Sequence, residues 1–298
     1  MAQAQVNGIS LEYEVHGAED GEPLLLIMGL GAQMTRWPPG LYEKLVERGF
    51  RVIRFDNRDC GLSQKFSGMP TMESVVSARM RGETPDIPYT LDDMAADAVG
   101  LLDHLGIERA HVAGASMGGM IGQLVTADYP ERVHSFTAVF STTGNPALPP
   151  SKPEAMAVLT TRAPDPSKDI EAYLDHMVRG ARTIGSPAFP FEESALRERA
   201  RNDVRRAYEP LGVARQLAAV IANGDRRPKI ANIKAPVVVL HGDADPLVPV
   251  EGGKDIAATI PGAEVRIVPG MGHDLPPALY DAVVDAICRA AERARAPA

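Results

Sequence analysis

The chain has 298 residues, 45% of them hydrophobic and 23% charged, and carries a formal net charge of −8. That length and apolar content can fill one complete core, and the acidic balance argues against a nucleic-acid partner or an anionic membrane surface. No apolar run approaches the roughly twenty residues of a membrane span, and no basic segment with an apolar run opens the chain, so the expected location is the cytoplasm.

Taken in order, residues 3–15 read as a hairpin turning at Asn7-Gly8, a pair that accepts positive φ at both turn positions. Residues 24–28 are an apolar strand running into Gly29-Leu30-Gly31, and a helix is expected near 41–48. The strand at 51–55 ends in Asp56-Asn57-Arg58-Asp59-Cys60-Gly61-Leu62-Ser63. Residues 66–89, broken by Pro70, Pro85 and Pro88, read as an excursion from the regular pattern. Thr90 then caps a helix whose apolar positions Leu91, Met94, Ala95, Ala98, Leu102 and Leu105 follow helical spacing until Gly106 stops it.

Residues 110–115 form the next strand, which enters Gly114-Ala115-Ser116-Met117-Gly118 and a helix-compatible run beyond. A further strand covers 133–140. Residues 141–228 break the alternation, with prolines at 146, 149, 150, 153, 164 and 166 and helical pieces near 170–180, 192–208 and 211–223. Strands return at 236–240 and 263–268, and a helix over 277–293 closes the chain. Strands alternating with helices imply a mostly parallel sheet covered by helices on both faces.

A serine hydroxyl is a weak nucleophile unless it is held in the open beside a base. A sharp strand-to-helix turn does this, and it crowds the backbone so tightly that only very small neighbours fit. Gly114-x-Ser116-x-Gly118 has that form, although a glycine-rich turn with an incidental serine would look the same. Two later strands end in the groups such a serine needs. His241-Gly242-Asp243-Ala244-Asp245 follows one, and Gly270-Met271-Gly272-His273 follows the other.

The order Ser116, Asp245, His273, each just past a strand, resembles the α/β-hydrolase family, whose His-Gly-x-x-Asp pattern selects Asp245 over Asp243. Two further motifs are similar to that family's. The Gly-flanked loop after 24–28 implies an oxyanion hole made by the backbone amides of Leu30 and Met117. The Asp56–Ser63 loop resembles Asp-x-Arg-Gly-x-Gly-x-Ser, with Asp59 in place of the first glycine. Met28-Gly29, the Asp-x-Arg-Asp loop and the Gly-Met-Gly-His ending together look most like the bacterial methylesterases of the aclacinomycin methylesterase type.

The resemblance implies an α/β-hydrolase fold: an eight-stranded, mostly parallel sheet with a helical cap inserted after the sixth strand. Residues 1–140 and 229–298 would form the core and 141–228 the cap over the pocket. It implies a carboxylic-ester hydrolase acting through Ser116, His273 and Asp245 on a small-molecule ester. Lactonase, aminopeptidase, carbon–carbon hydrolase or perhydrolase chemistry, or a non-catalytic binding role, are the alternatives. For an aminopeptidase, Glu154, Glu171, Glu192 and Glu193 would have to hold a substrate ammonium rather than form a solvated face.

No pair of histidines has metal spacing with a carboxylate, and Gly29-Leu30-Gly31 is too short for a dinucleotide fingerprint, so neither metal nor cofactor is expected. Cys60 and Cys288 are expected to be free, inert thiols. The oligomeric state is left open, a homo-oligomer being one option.

Overall fold

Asn7 and Gly8 take φ of 47° and 75°, which turns the chain tightly between β1 (Ala2–Val6) and β2 (Ile9–His16). In the computed structural model of the protein, which describes residues 2–296, this hairpin is the antiparallel edge of an eight-stranded sheet. The other strands are β3 (Glu22–Ile27), β4 (Phe50–Phe55), β5 (Ala110–Ala115), β6 (Val133–Val139), β7 (Val237–Gly242) and β8 (Glu264–Val268). The spatial order is β1-β2-β4-β3-β5-β6-β7-β8, and every pairing from β4 to β8 is parallel. From β3 the chain first adds a strand on one side and then continues on the other. The crevice beyond the ends of β3 and β5 is therefore a topological switch point, where open α/β sheets place their sites.

Both faces of the sheet are apolar because its strands are buried on both sides, as parallel strands require. Along β3, Leu25 and Ile27 face one core while Leu24 and Leu26 face the other; along β7, Val237 and Val239 oppose Val238 and Leu240. The helices are α1 (Pro39–Glu47), α2 (Met72–Met80), α3 (Leu91–His104), α4 (Met117–Asp128), α5 (Pro153–Thr160), α6 (Ile170–Ile184), α7 (Glu193–Arg206), α8 (Pro210–Asn223), α9 (Arg227–Ile230), α10 (Val250–Thr259) and α11 (Tyr280–Arg295). Leu41 and Leu45 of α1 join Val283 and Ile287 of α11 on one face, while α3, α4 and α10 cover the other. Thr90 caps α3 in a reciprocal box with Asp93.

Several helices depart from the expectations, among them α5 and α9, for which no helix was expected. The excursion at 66–89 contains α2, capped by the Thr71 side chain. Helix α6 runs past Gly180 to Ile184, because a Cβ on Gly180 would sit 3.1 Å from Val158 Cγ1 and the glycine lets α5 pack closely. Helix α10 lies where Gly252-Gly253 argues against a helix. A Cβ on Gly253 would stand 2.5 Å from His241 Nδ1, so close packing on β7 accounts for that glycine.

Between β6 and β7, α5 to α8 make up most of residues 141–228. Tyr173, Leu174 and Ala200 pack there with Met177 and Val204 in a small core separate from the two beside the sheet.

Candidate active site

Ser116 sits between β5 and α4 at φ 55°, a left-handed conformation that a non-glycine residue adopts only under tight constraint. The constraint is visible on every side. The Ser116 amide donates to Val139 O at 2.9 Å, and the Ser116 carbonyl accepts from Gly119 N at 2.9 Å and from Ser141 Oγ at 2.8 Å. A Cβ on Gly114 would lie 2.1 Å from Gly118 O, and one on Gly118 would lie 2.1 Å from Ile27 O. The glycines flanking the serine are thus fixed by space.

The serine hydroxyl does not turn inward to cap its helix. Its Oγ instead lies 3.0 Å from His273 Nε2. On the far side of the ring, Nδ1 is 2.7 Å from Asp245 Oδ2. A neutral histidine with its proton on Nδ1 donates to the carboxylate and keeps Nε2 free to accept from the serine. Asp245 is held in turn: the Leu247 and Val248 amides donate to its Oδ1, each at 2.9 Å. Its carboxylate is fully buried, so the attraction to a neighbouring imidazolium is little screened by water.

Asp243, two residues earlier, is exposed and accepts from Gly270 N at 2.7 Å. Its carboxylate fastens the loop after β8, and the ring of His273 is left to Asp245. His241 ties the same region: its Nε2 donates to Val248 O at 2.8 Å, and burial holds its pKa below the ordinary imidazole value.

The loop after β3 passes directly over the serine. A Cβ on Gly29 would stand 3.1 Å from Ser116 Cβ and 3.6 Å from its Oγ. Neither the Leu30 nor the Met117 amide donates a hydrogen bond to any group among the described residues. Two unengaged donors therefore lie next in chain to the groups packed around the serine, and Met117 opens the twelve-residue helix α4. The positive end of that helix adds to any attraction for negative charge.

Several residues at the site carry no sequence signal of their own. Phe140, at φ 35°, places its ring 4.6 Å from that of His273. Ile184 O, at the end of α6, accepts from His273 N at 2.7 Å. Ser186 donates through its amide and hydroxyl to Asp274 Oδ1, at 3.0 and 2.5 Å, and accepts from Gly272 N at 2.9 Å. The segment after α6 thus grips the loop that bears His273. Only the adjacency of Asp274 to His273 hints at this in the sequence.

Cys60 is buried, and burial pushes its thiol pKa far up, so it stays protonated. Cys60 and Cys288 are both free. Glu171 and Glu193 are occupied by arginines, the first by Arg197 and Arg201 and the second by Arg182 and Arg197; Glu154 and Glu192 are exposed. No helix among the described residues is long and apolar enough to cross a membrane.

The family described as alpha/beta hydrolase fold matches residues 22–276. The rhodomycin D methylesterase of Streptomyces peucetius is 28% identical over 299 residues, which cover 94% of each protein. A 2-hydroxy-6-oxononadienedioate/2-hydroxy-6-oxononatrienedioate hydrolase of Burkholderia vietnamiensis is 28% identical over 273 residues, covering 88% of this chain and 85% of its own. Among solved structures, an enol-lactonase from Burkholderia xenovorans superposes with a TM-score of 0.72 at 25% identity, over 97% of this chain and 99% of that one.

Proposed function

This chain belongs to the α/β-hydrolase fold family, and on that premise we propose that it hydrolyses small carboxylic esters, with Ser116 as nucleophile, His273 as general base and acid, and Asp245 as the group that orients the ring. The observation that carries the reading is the continuous chain Ser116 Oγ, His273, Asp245, at 3.0 and 2.7 Å. As Ser116 Oγ attacks the ester carbonyl, His273 Nε2 takes its proton, and Asp245 stabilises the imidazolium. The carbonyl oxygen becomes an anion that the Leu30 and Met117 amides receive as fixed donors. Collapse breaks the bond to the alcohol, which leaves with the proton from His273. Water, deprotonated by the same nitrogen, then releases the acid and restores the serine. No cofactor enters any step.

Residues 141–228 act in this proposal as the cap that excludes water and selects the substrate. Its attachment to the His273 loop through Ile184 and Ser186 supports that role. The methylesterase relative makes a methyl ester the first substrate to try. Glu171 and Glu193 are paired with arginines, which weighs against their holding the ammonium of an aminopeptidase substrate, whereas Glu154 and Glu192 are exposed.

The test is a panel of methyl and p-nitrophenyl esters of increasing acyl length, run beside an enol-lactone, a vinylogous 1,5-diketone and an aminoacyl anilide. The expected outcome is ester turnover that disappears in Ser116→Ala. Turnover confined to the diketone or the anilide would overturn it.

A further inference from the structure

Helix α8, in the insertion, reaches the loop that carries Leu30 through one fully buried side chain. Gln216 Oε1 accepts from Gly31 N at 2.7 Å, and its Nε2 donates to Arg58 O at 2.8 Å. The two partners, one a donor and one an acceptor, fix which end of the side-chain amide faces which. Around Leu30, three consecutive peptide groups are held. Asn57 Nδ2 donates to Met28 O at 2.9 Å, Ala32 N donates to Gly29 O at 3.2 Å, and Gly31 N is held by Gln216. Gly31 has φ 64°, and a Cβ there would stand 2.7 Å from Val213 Cγ2, one turn before Gln216 on α8. Helix and loop are therefore in direct contact at the residue that follows Leu30.

The helix is itself fastened. Arg215 meets Asp59 with two hydrogen bonds of 2.8 Å, and a Cβ on Gly212 would lie 2.1 Å from Asp59 O. The chain thus runs from Asp59 through Arg215 and Gln216 to the peptide next to Leu30.

We propose that Gln216 is a positioning residue of the insertion that aims the Leu30 amide at the developing oxyanion. This deepens the ester-hydrolase proposal and rests on it. A donor aimed at an oxyanion stabilises the transition state more than the bound substrate, so its misplacement lowers kcat and leaves KM nearly alone. A shift of about 1 Å in such a group costs up to about a hundredfold in rate.

The experiment compares the parent with Gln216→Met, which has similar length and no hydrogen-bonding amide, and Gln216→Glu, which keeps an acceptor for the Gly31 amide. Turnover of p-nitrophenyl acetate and inhibition by phenylboronic acid are measured per folded protein, with the thermal midpoint recorded for each. The boronate forms a tetrahedral adduct on the serine and reports the oxyanion donors directly. Gln216→Met should lower kcat roughly ten- to a hundredfold, leave KM within about twofold, and weaken phenylboronic acid by a factor similar to the loss in kcat. Gln216→Glu should recover part of both. The proposal is overturned if Gln216→Met keeps the parental kcat, if the loss falls on KM with boronate binding unchanged, or if Gln216→Glu is no better than Gln216→Met. A parent that neither turns over the ester nor binds the boronate refutes the ester-hydrolase reading itself, and with it the role of Gln216.

Discussion

Arg215 grips Asp59 with both arms of its guanidinium, each at 2.8 Å, and neither side chain is more than a few per cent exposed. Tyr89 adds a hydrogen bond of 2.6 Å to the same carboxylate, and Phe66 N another of 2.7 Å. Asp59 takes φ 64° at the position where the family motif has glycine. Its side chain binds an arginine of the insertion and joins α8 to the loop after β4.

Breaking that pair from one side should be severe, because it strands a buried charge. Asp59→Ala or Arg215→Ala should each destabilise the protein by roughly 3–5 kcal/mol. The double variant should fall well short of the sum, since the second change removes the stranded charge. Denaturant unfolding of the four proteins checks this; additive losses would mean the pair is not coupled.

The two aspartates after β7 should separate cleanly. Asp245→Asn removes the acceptor that holds His273 in its tautomer and should lower kcat by several orders of magnitude, on the scale of triad variants. Asp243→Asn loses only a bond to Gly270 N and should cost far less in kcat. Steady-state kinetics on one ester decides between them, and the reverse ranking would reassign the acid.

Most of the sheet was legible from the sequence because each parallel strand is a short apolar run bounded by turn residues, and β4, β5 and β6 read to within one residue. Ser116 and His273 each follow a strand, and their neighbours include glycines that the tight packing needs. What stayed hidden depends on tertiary contacts. Helix α10 was obscured by Gly252-Gly253, whose absent side chains make room for Thr142 and His241. Helix α5 sits among prolines that read as loop, yet Pro153 occupies its first turn, where a missing amide costs nothing. Gln216 and Ser186 gave no signal, because a buried amide and a hydroxyl gain their meaning only from the backbone groups they meet.

Gly118 should not tolerate a side chain. Alanine there would place Cβ 2.1 Å from Ile27 O, a backbone atom of the central strand. Gly118→Ala is expected to lower stability by roughly 1–3 kcal/mol, the usual scale of overpacking, and to shift Ser116 enough to remove most activity. Thermal unfolding with parallel kinetics checks this; a variant of parental stability and rate would mean the turn is looser than described.

Acid should weaken the fold through His111. It lies on β5, with Nδ1 2.8 Å from Ser135 Oγ, the His134 ring 5.2 Å away and Glu22 Oε2 at 3.4 Å. Burial, more than the neighbouring His134, lowers its pKa to about 4, below the ordinary 6.5. Between those values the unfolded chain binds a proton that the folded protein refuses. Stability is therefore undiminished above pH 6.5 and declines as pH falls toward 4, by roughly 3 kcal/mol at most from this group. His111→Gln should flatten that part of the stability–pH curve relative to the parent. Parallel curves for the two proteins would contradict the assignment.

The most direct test is stoichiometric labelling with a p-nitrophenyl phosphonate, followed by intact and peptide mass measurement while residual ester turnover is monitored. One phosphonyl group per chain, located on Ser116, should abolish turnover in proportion to labelling, and Ser116→Ala should neither label nor turn over ester. Full labelling elsewhere, or ester hydrolysis that survives complete modification of Ser116, would contradict the mechanism at its first step.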